Sequence, residues 1–205
     1  SKCRLGVTSS SDRRRINRLF RNDGTNQYTD EGPTTGLDDG EQSWCSDFAD
    51  IDNDGDMDCF ILNHGAGTSR LLENDGAGGF SDISDSSGLG DIRYFGIQAL
   101  FRDFDNDSHI DLLVTATNLG GAAATYRIYR NNGDKTFTEV PDVLRVGGAT
   151  PISHLHSCAL GDLNHDGFVD IFGGRGTGYN GTSGSQRDLL FLNNGNANHY
   201  LAVQL

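Results

Sequence analysis

The chain of 205 residues has no apolar run approaching the roughly 18 residues of a membrane-crossing helix, and only 35% of it is hydrophobic, so membrane insertion is not expected. Positive charge is scarce. Sixteen Lys and Arg face 29 Asp and Glu, a net charge of −13, which argues against nucleic acid as a partner. Glutamate is scarce as well, with 4 Glu beside 25 Asp. Glu decorates helix faces, whereas Asp favours caps, turns and metal loops. Cys3, Cys45, Cys59 and Cys158 show no CxxC spacing, which argues against zinc and thioredoxin-type sites. Their even count suits one or two disulfides in an oxidising compartment, with free buried thiols as the alternative. GxSxG, HExxH and P-loop signatures are all missing. The run Gly173-Gly-Arg175-Gly176-Thr-Gly178 lacks the following helix of a dinucleotide fingerprint and reads as a flexible loop. No segment sustains a 3.6-residue period, although residues 12–20 have room for one helical turn. The opening Ser1-Lys2-Cys3-Arg4 has neither Met nor an apolar leader, the expectation for a trimmed chain or part of a longer one.

What the chain does have is repetition. One nine-residue pattern recurs three times: Asp50-Ile-Asp52-Asn-Asp54-Gly55-Asp56-Met-Asp58, Asp103-Phe-Asp105-Asn-Asp107-Ser108-His109-Ile-Asp111 and Asp162-Leu-Asn164-His-Asp166-Gly167-Phe168-Val-Asp170. Strand-like apolar residues flank each copy. A second pattern recurs four times, as Leu19-Phe-Arg-Asn22-Asp-Gly24, Leu71-Leu-Glu-Asn74-Asp-Gly76, Ile128-Tyr-Arg-Asn131-Asn-Gly133 and Leu190-Phe-Leu-Asn193-Asn-Gly195. An Asn/Asp-Gly pair after an apolar run predicts a hairpin, because both residues tolerate positive φ. Tyr28, Phe80 and Phe137 follow the first three of these glycines at one constant spacing.

One unit therefore reads strand, acidic loop, strand, variable linker, strand, Asn-Gly turn, strand, which is the size of a propeller blade. The expected fold is all-β: a β-propeller-type array of four-stranded antiparallel blades, about three full ones plus a partial N-terminal one. The boundaries are 1–36 for the partial blade, then 37–92, 93–147 and 148–205, all in a single array. The first Asn-Gly turn has no acidic loop before it. The chain is accordingly expected to complete itself through other protein chains, by self-association or by joining the remainder of a larger precursor.

Alternating oxygen ligands, with a glycine where the chain turns sharply, are what a hard cation requires, and calcium takes six to eight oxygens. Positions 1, 3, 5 and 9 of each loop offer side-chain oxygens, and position 7 offers its carbonyl. Three calcium sites are expected. Asp50, Asp52, Asp54, Asp56 and Asp58 form the first, Asp103, Asp105, Asp107, His109 and Asp111 the second, and Asp162, Asn164, Asp166, Phe168 and Asp170 the third. An EF-hand needs Glu at position 12 and flanking helices, but position 12 is Ile61, Val114 and Gly173. Ser108 replaces the glycine of the second loop, so that site is expected to be the weakest.

These loops resemble the FG-GAP/VCBS calcium-binding repeats of integrin α-chain propellers and of many secreted proteins. The Leu-Phe-Arg-Asn-Asp-Gly segments resemble the cartilage acidic protein and UnbV branch, and residues 193–205 are similar to its approach to a further domain. The resemblance implies extracellular location, calcium and a role in binding, adhesion or structural assembly, not an enzyme. Two alternatives use the same scaffold. One is a glycan-binding lectin. The other is a polysaccharide lyase built on His154, His156, Arg175 and Tyr179, near Cys158. Arg13, Arg14, Arg15 and Arg18 read as a solvated basic connection, Asn180-Gly-Thr182 as an exposed glycosylation sequon, and Trp44 as packing between blades just before an inner strand.

Overall fold

The computed structural model describes residues 16–65, 67–93, 95–117, 125–141, 143–144, 155–176 and 187–198. Cys3, residues 13–15, His154, Tyr179, the Asn180 sequon and residues 199–205 lie outside them. The described chain is nearly all β and antiparallel. A hairpin comes first, β1 (Phe20–Asn22) with β2 (Tyr28–Asp30). The first four-stranded sheet holds β3 (Ser43–Ala49), β4 (Asp58–Asn63), β5 (Arg70–Asn74) and β6 (Phe80–Asp82), in chain order. A second repeats it with β7 (Phe95–Arg102), β8 (Asp111–Thr117), β9 (Thr125–Asn131) and β10 (Phe137–Val140). The third contains β11 (Leu155–Gly161), β12 (Asp170–Arg175) and β13 (Leu189–Phe191) among the described residues.

The second sheet buries both faces against its neighbours, whereas on the third Phe172 and Leu190 face outward and are 44% and 55% exposed. Phe60, Leu62 and Leu71 of the first sheet meet Ala99, Phe101, Leu112 and Val114 of the second. Leu113 and Ile128 on the opposite face of the second meet Leu155, Cys158 and Ile171 of the third. On the outer face of the first sheet, Cys59, Ile61 and Leu72 pack with Leu37, Leu19 and Phe80. Alternation along each strand is what sends neighbouring side chains to opposite faces. The three innermost strands also share one irregularity, a register shift at Ser43/Cys45, Gly96/Gln98 and Leu155/Ser157.

Several local expectations are corrected. The one helix among the described residues, α1 (Gly32–Thr35), follows the hairpin, with Pro33 in its first turn and Gly36 closing it at φ 85°. That is the ordinary start-and-stop chemistry of a helix; of residues 12–20, where room for a helical turn was expected, 12–15 lie outside the described residues and Phe20 belongs to β1. The first three Asn-Gly segments do form hairpin turns, with five residues separating Asn22 from Tyr28, while the strand expected after Gly195 lies outside the described residues. The leading Asn acts through its side chain, accepting the N–H of Gly24, Gly76, Gly133 and Gly195 at 2.8–3.1 Å, the Asx geometry. Gly173 and Gly174 are not loop residues. They lie in β12, where a Cβ would come within 2.4 Å of Leu155 and 2.6 Å of Ser157 respectively. Trp44 is within β3 and 39% exposed, its ring stacked 3.8 Å from His64, which in turn meets Phe95.

The expected disulfide does not form among Cys45, Cys59 and Cys158, which are free thiols. Cys45 and Cys59 sit on neighbouring strands of the first blade, β3 and β4, and Cys158 on β11 of the third. Burial raises the Cys59 and Cys158 thiols to about 12, so both are poor nucleophiles. No helix among the described residues is long and apolar enough to cross a membrane.

Candidate metal centre

The three acidic loops share one hydrogen-bond pattern. The carboxylate at position 1 accepts the N–H groups of positions 5 and 6: Asp50 from Asp54 and Gly55 at 3.1 and 3.0 Å, Asp103 from Asp107 and Ser108 at 3.2 and 2.9 Å, Asp162 from Asp166 and Gly167 at 3.1 and 3.0 Å. Position 5 accepts from position 7 at 2.9 Å in every loop. The position-9 aspartates, all at most 2% exposed, tie each loop to its own blade. Asp58 accepts from Ile51 and Asn74, Asp111 from Phe104 and Asn131, and Asp170 from Leu163 and Asn193, at 2.8–3.1 Å.

This network closes the loop without exhausting its oxygens, since a carboxylate has about four acceptor sites. One oxygen each from Asp50, Asp52 and Asp58 lies within 4.8 Å of the others, and the same holds for Asp103, Asp105 and Asp111. Ligands on opposite sides of one calcium, each at about 2.4 Å, are that far apart. Asp105 Oδ1 is buried with no hydrogen-bond partner among the described residues. The donor set therefore fits one hard cation per cluster. In the third loop the middle ligand is Asn164, whose amide accepts from Asp166 N–H at 3.1 Å and donates to Asp166 Oδ2 at 2.7 Å.

The electrostatics agree. Burial pushes the Asp58 carboxyl up and takes Asp111 to about 6, while burial and then the Asp107 charge raise Asp105. Burial opposes ionisation at Asp52 and Asp107 too, but there a basic side chain together with N–H donors of the loop outweighs it and leaves both below the ordinary value. Those cations are Lys135, 2.6 Å from Asp52 and 2.5 Å from Glu73, and Arg130, 3.2 Å from Asp105 and 2.9 Å from Asp107.

Position 7 turns its side chain away from the cluster, onto the Asn-Gly turn. A Cβ at Gly76, Gly133 or Gly195 would meet Asp56, His109 or Phe168 at 2.4, 2.7 and 2.9 Å. That accounts for the variety of side chains there and leaves the backbone as the part facing the loop. Position 6 has positive φ throughout, at Gly55 (95°), Ser108 (73°) and Gly167 (87°). Ser108 holds this conformation against the steric cost of its Cβ. Ser108→Gly is therefore expected to stabilise the chain by about 0.5–1 kcal/mol, read as a higher urea midpoint with unchanged slope. A lower midpoint would show that the loop makes use of the serine.

One feature was not anticipated from sequence. Position 4 also has positive φ, at Asn53, Asn106 and His165 (56–62°). From there Asn53 donates to the Ser108 carbonyl and Asn106 to the Gly167 carbonyl, each at 3.1 Å, joining every loop to the next. In return Asn131 donates to the Ile51 carbonyl at 2.7 Å and Asn193 to the Phe104 carbonyl at 2.8 Å. The available signal was the recurrence of Asn, Asn and His, types that tolerate the left-handed region, at one loop position.

The FG-GAP-like repeat family model matches residues 5–61, 50–114 and 103–173, each of the last two spans running from one acidic loop through the next. The chain belongs to the FG-GAP-like repeat family. A comparison with curated proteins finds no match. In FG-GAP terms the three sheets are β-propeller blades, and the acidic loops join the two inner strands of each. The residues of the lyase alternative are described only in part. Arg175 donates its N–H to Asp188 at 3.0 Å, His156 gives its carbonyl to Thr115 at 3.1 Å, and Cys158 is buried between blades.

Proposed function

We propose that this chain is an extracellular, calcium-rigidified propeller module that serves binding, adhesion or structural assembly. The observation that carries the calcium reading is the convergence of Asp50, Asp52 and Asp58, repeated at Asp103, Asp105 and Asp111, with Asp105 Oδ1 buried and without a hydrogen-bond partner among the described residues. Asp54, Asp107 and Asp166 with the carbonyls of Asp56, His109 and Phe168 complete the ligand sets, and Asp162, Asn164 and Asp170 form the third. When bound, calcium supplies a fixed positive charge that neutralises clustered carboxylates. It takes no part in turnover, and no enzyme activity is proposed. The Leu-Phe-Arg-Asn-Asp-Gly segments support the finer affiliation with the cartilage acidic protein and UnbV branch.

Titration calorimetry with calcium on the whole chain tests this reading. Three sites are expected. Asp103→Ala should abolish the weakest, which carries Ser108, and Asp50→Ala the strongest, which combines aspartate at all four side-chain ligand positions with Gly55 at position 6. No calcium uptake, or a second site tighter than the first, would overturn the assignment or its ranking.

A further inference from the structure

Among the described residues two basic side chains reach the acidic loops, and each lands on position 3. Arg130 comes from the same blade as the second loop. Its Nε lies 3.2 Å from Asp105 and its Nη2 2.9 Å from Asp107. Lys135 comes from the blade after the first loop. It stands in the β9–β10 turn and places Nζ 2.6 Å from Asp52 and 2.5 Å from Glu73. The Asp52 side chain is only 9% exposed, so the lysine meets it where water scarcely does.

The three blades compensate at two positions. Just before the turn asparagine stand Glu73, Arg130 and Leu192, and at position 3 of the loop stand Asp52, Asp105 and Asn164. In the second blade the arginine before the turn answers its own loop. In the first that residue is an acid, which adds to the charge of the loop, and Lys135 reaches across from the next blade to bridge the two. In the third blade position 3 is an amide. Asn164 Nδ2 donates to Asp166 Oδ2 at 2.7 Å, and the equivalent oxygen of Asp107 is the one that accepts from Arg130. The third loop has no basic partner among the described residues.

The backbone at Lys135 is an independent observation. Four residues after their leading asparagine, the first two turns carry Asn26 and Gly78 at φ 63° and 94°, types that tolerate the left-handed region. Lys135 holds φ 69° at the same place. A strained residue persists where its surroundings over-determine it, and such positions cluster where a side chain has a task. The task open to Lys135 is its bridge between Asp52 and Glu73.

We propose that Lys135 and Arg130 are built-in counter-ions, which hold position 3 of the first and second loops in the calcium-free chain and yield it to the metal. This rests on the calcium reading of the loops. Asp52 and Asp105 belong to the clusters whose oxygens converge, and a metal ion and a basic group on one carboxylate repel each other. Lys135 keeps Glu73 when it leaves Asp52, so its turn stays anchored to the first blade. The device softens the repulsion among carboxylates when calcium is withdrawn, and it raises the calcium concentration at which the two loops fill. It also couples loading of the first loop to the second blade, which owns the displaced lysine.

The test combines melting curves with calcium titration of the whole chain, as wild type, Lys135→Met and Lys135→Arg. Methionine keeps the length and the backbone strain of the lysine and removes its charge. In chelator Lys135→Met should melt about 2–4 °C lower than wild type, and in saturating calcium the two should coincide. Its first site should bind calcium about threefold to fivefold more tightly, the same free energy read from the other side. Lys135→Arg should behave as wild type in both conditions. Arg130→Met should show this pattern at the second site alone, and neither variant should alter the third. Calcium uptake with an equal loss in chelator and in calcium would overturn the proposal, since the lysine would then remain on Asp52 beside the metal. So would a Lys135→Met chain that melts with wild type in chelator. A wild type that takes up no calcium would overturn the underlying reading as well, whatever the chelator curves show.

Discussion

Excess chelator is expected to lower the melting temperature of the chain by roughly 15 °C or more. A ligand that binds only the folded state contributes about 2.7 kcal/mol per site at a hundredfold excess over its dissociation constant. For a chain of this size 1 kcal/mol moves the midpoint by about 2–4 °C, so two or three loops together reach that shift. The direction follows from the site. Burial already disfavours the charged forms of Asp58, Asp105 and Asp111, and without a cation those loops keep their carboxylates against their own repulsion. Lys135 and Arg130 relieve part of it at Asp52 and Asp107. Restoring calcium should restore the midpoint, and magnesium should do so poorly, because it keeps its waters and demands an octahedron. Superimposable melting curves in calcium and in chelator would end the calcium reading.

Asp111→Ala is expected to cost about 3–5 kcal/mol even in chelator, because hydrogen bonds to a charged group contribute about 1.5–3 kcal/mol each. Asp111 accepts two, from Phe104 and Asn131, and both N–H groups would be left without an acceptor. Its role is architectural before it is metallic. It fastens the acidic loop to the Asn131 turn, and Asn131, 1% exposed, reaches on to the Ile51 carbonyl of the preceding blade. Asp111→Asn keeps one acceptor oxygen and should lose about half as much in chelator, while abolishing the second calcium site. Urea unfolding of the two variants with and without calcium gives the four numbers. Equal stabilities for wild type and Asp111→Ala in chelator would show that the carboxylate serves the metal alone.

The acidic loops and the strand order were legible in sequence because both follow short local rules. Alternating Asp with a glycine at position 6 is dictated within nine residues, and an apolar run ending in Asn-Asp-Gly announces its own turn. The long-range bonds were not legible. Nothing local marks Asn53 as a donor to a carbonyl 55 residues away, or Gln98 as the clamp on both backbone groups of Cys158. Gly173 and Gly174 read as loop from composition, and only the approach of Leu155 and Ser157 explains why a strand carries them. The cysteine count pointed to disulfides through compartment logic, but pairing depends on where the folded strands place the sulfurs. Pro33 and Gly36, by contrast, carried a clear helix signature that was available and went unread.

The ladder of asparagine bonds that links successive acidic loops fixes the pitch of the array along one rim. Every loop there is nine residues long, and its place relative to the next is set by asparagine side chains that donate to backbone carbonyls of the neighbouring loop. The opposite rim is joined by different contacts: His64 pairs with Phe95 and its ring lies 2.9 Å from the Gly96 carbonyl, and Thr115 donates to the His156 carbonyl. Residues 64–69, 118–124 and 176–188 connect the second strand of each blade to the third, and these segments lengthen along the chain without altering the loop-to-loop bonds. Novelty in such a protein is therefore better tolerated on one side: a recognition loop lengthened between the second and third strands leaves the metal rim in register, whereas a single residue inserted between Asp50 and Asp58 displaces the asparagine bonds that join that loop to the next.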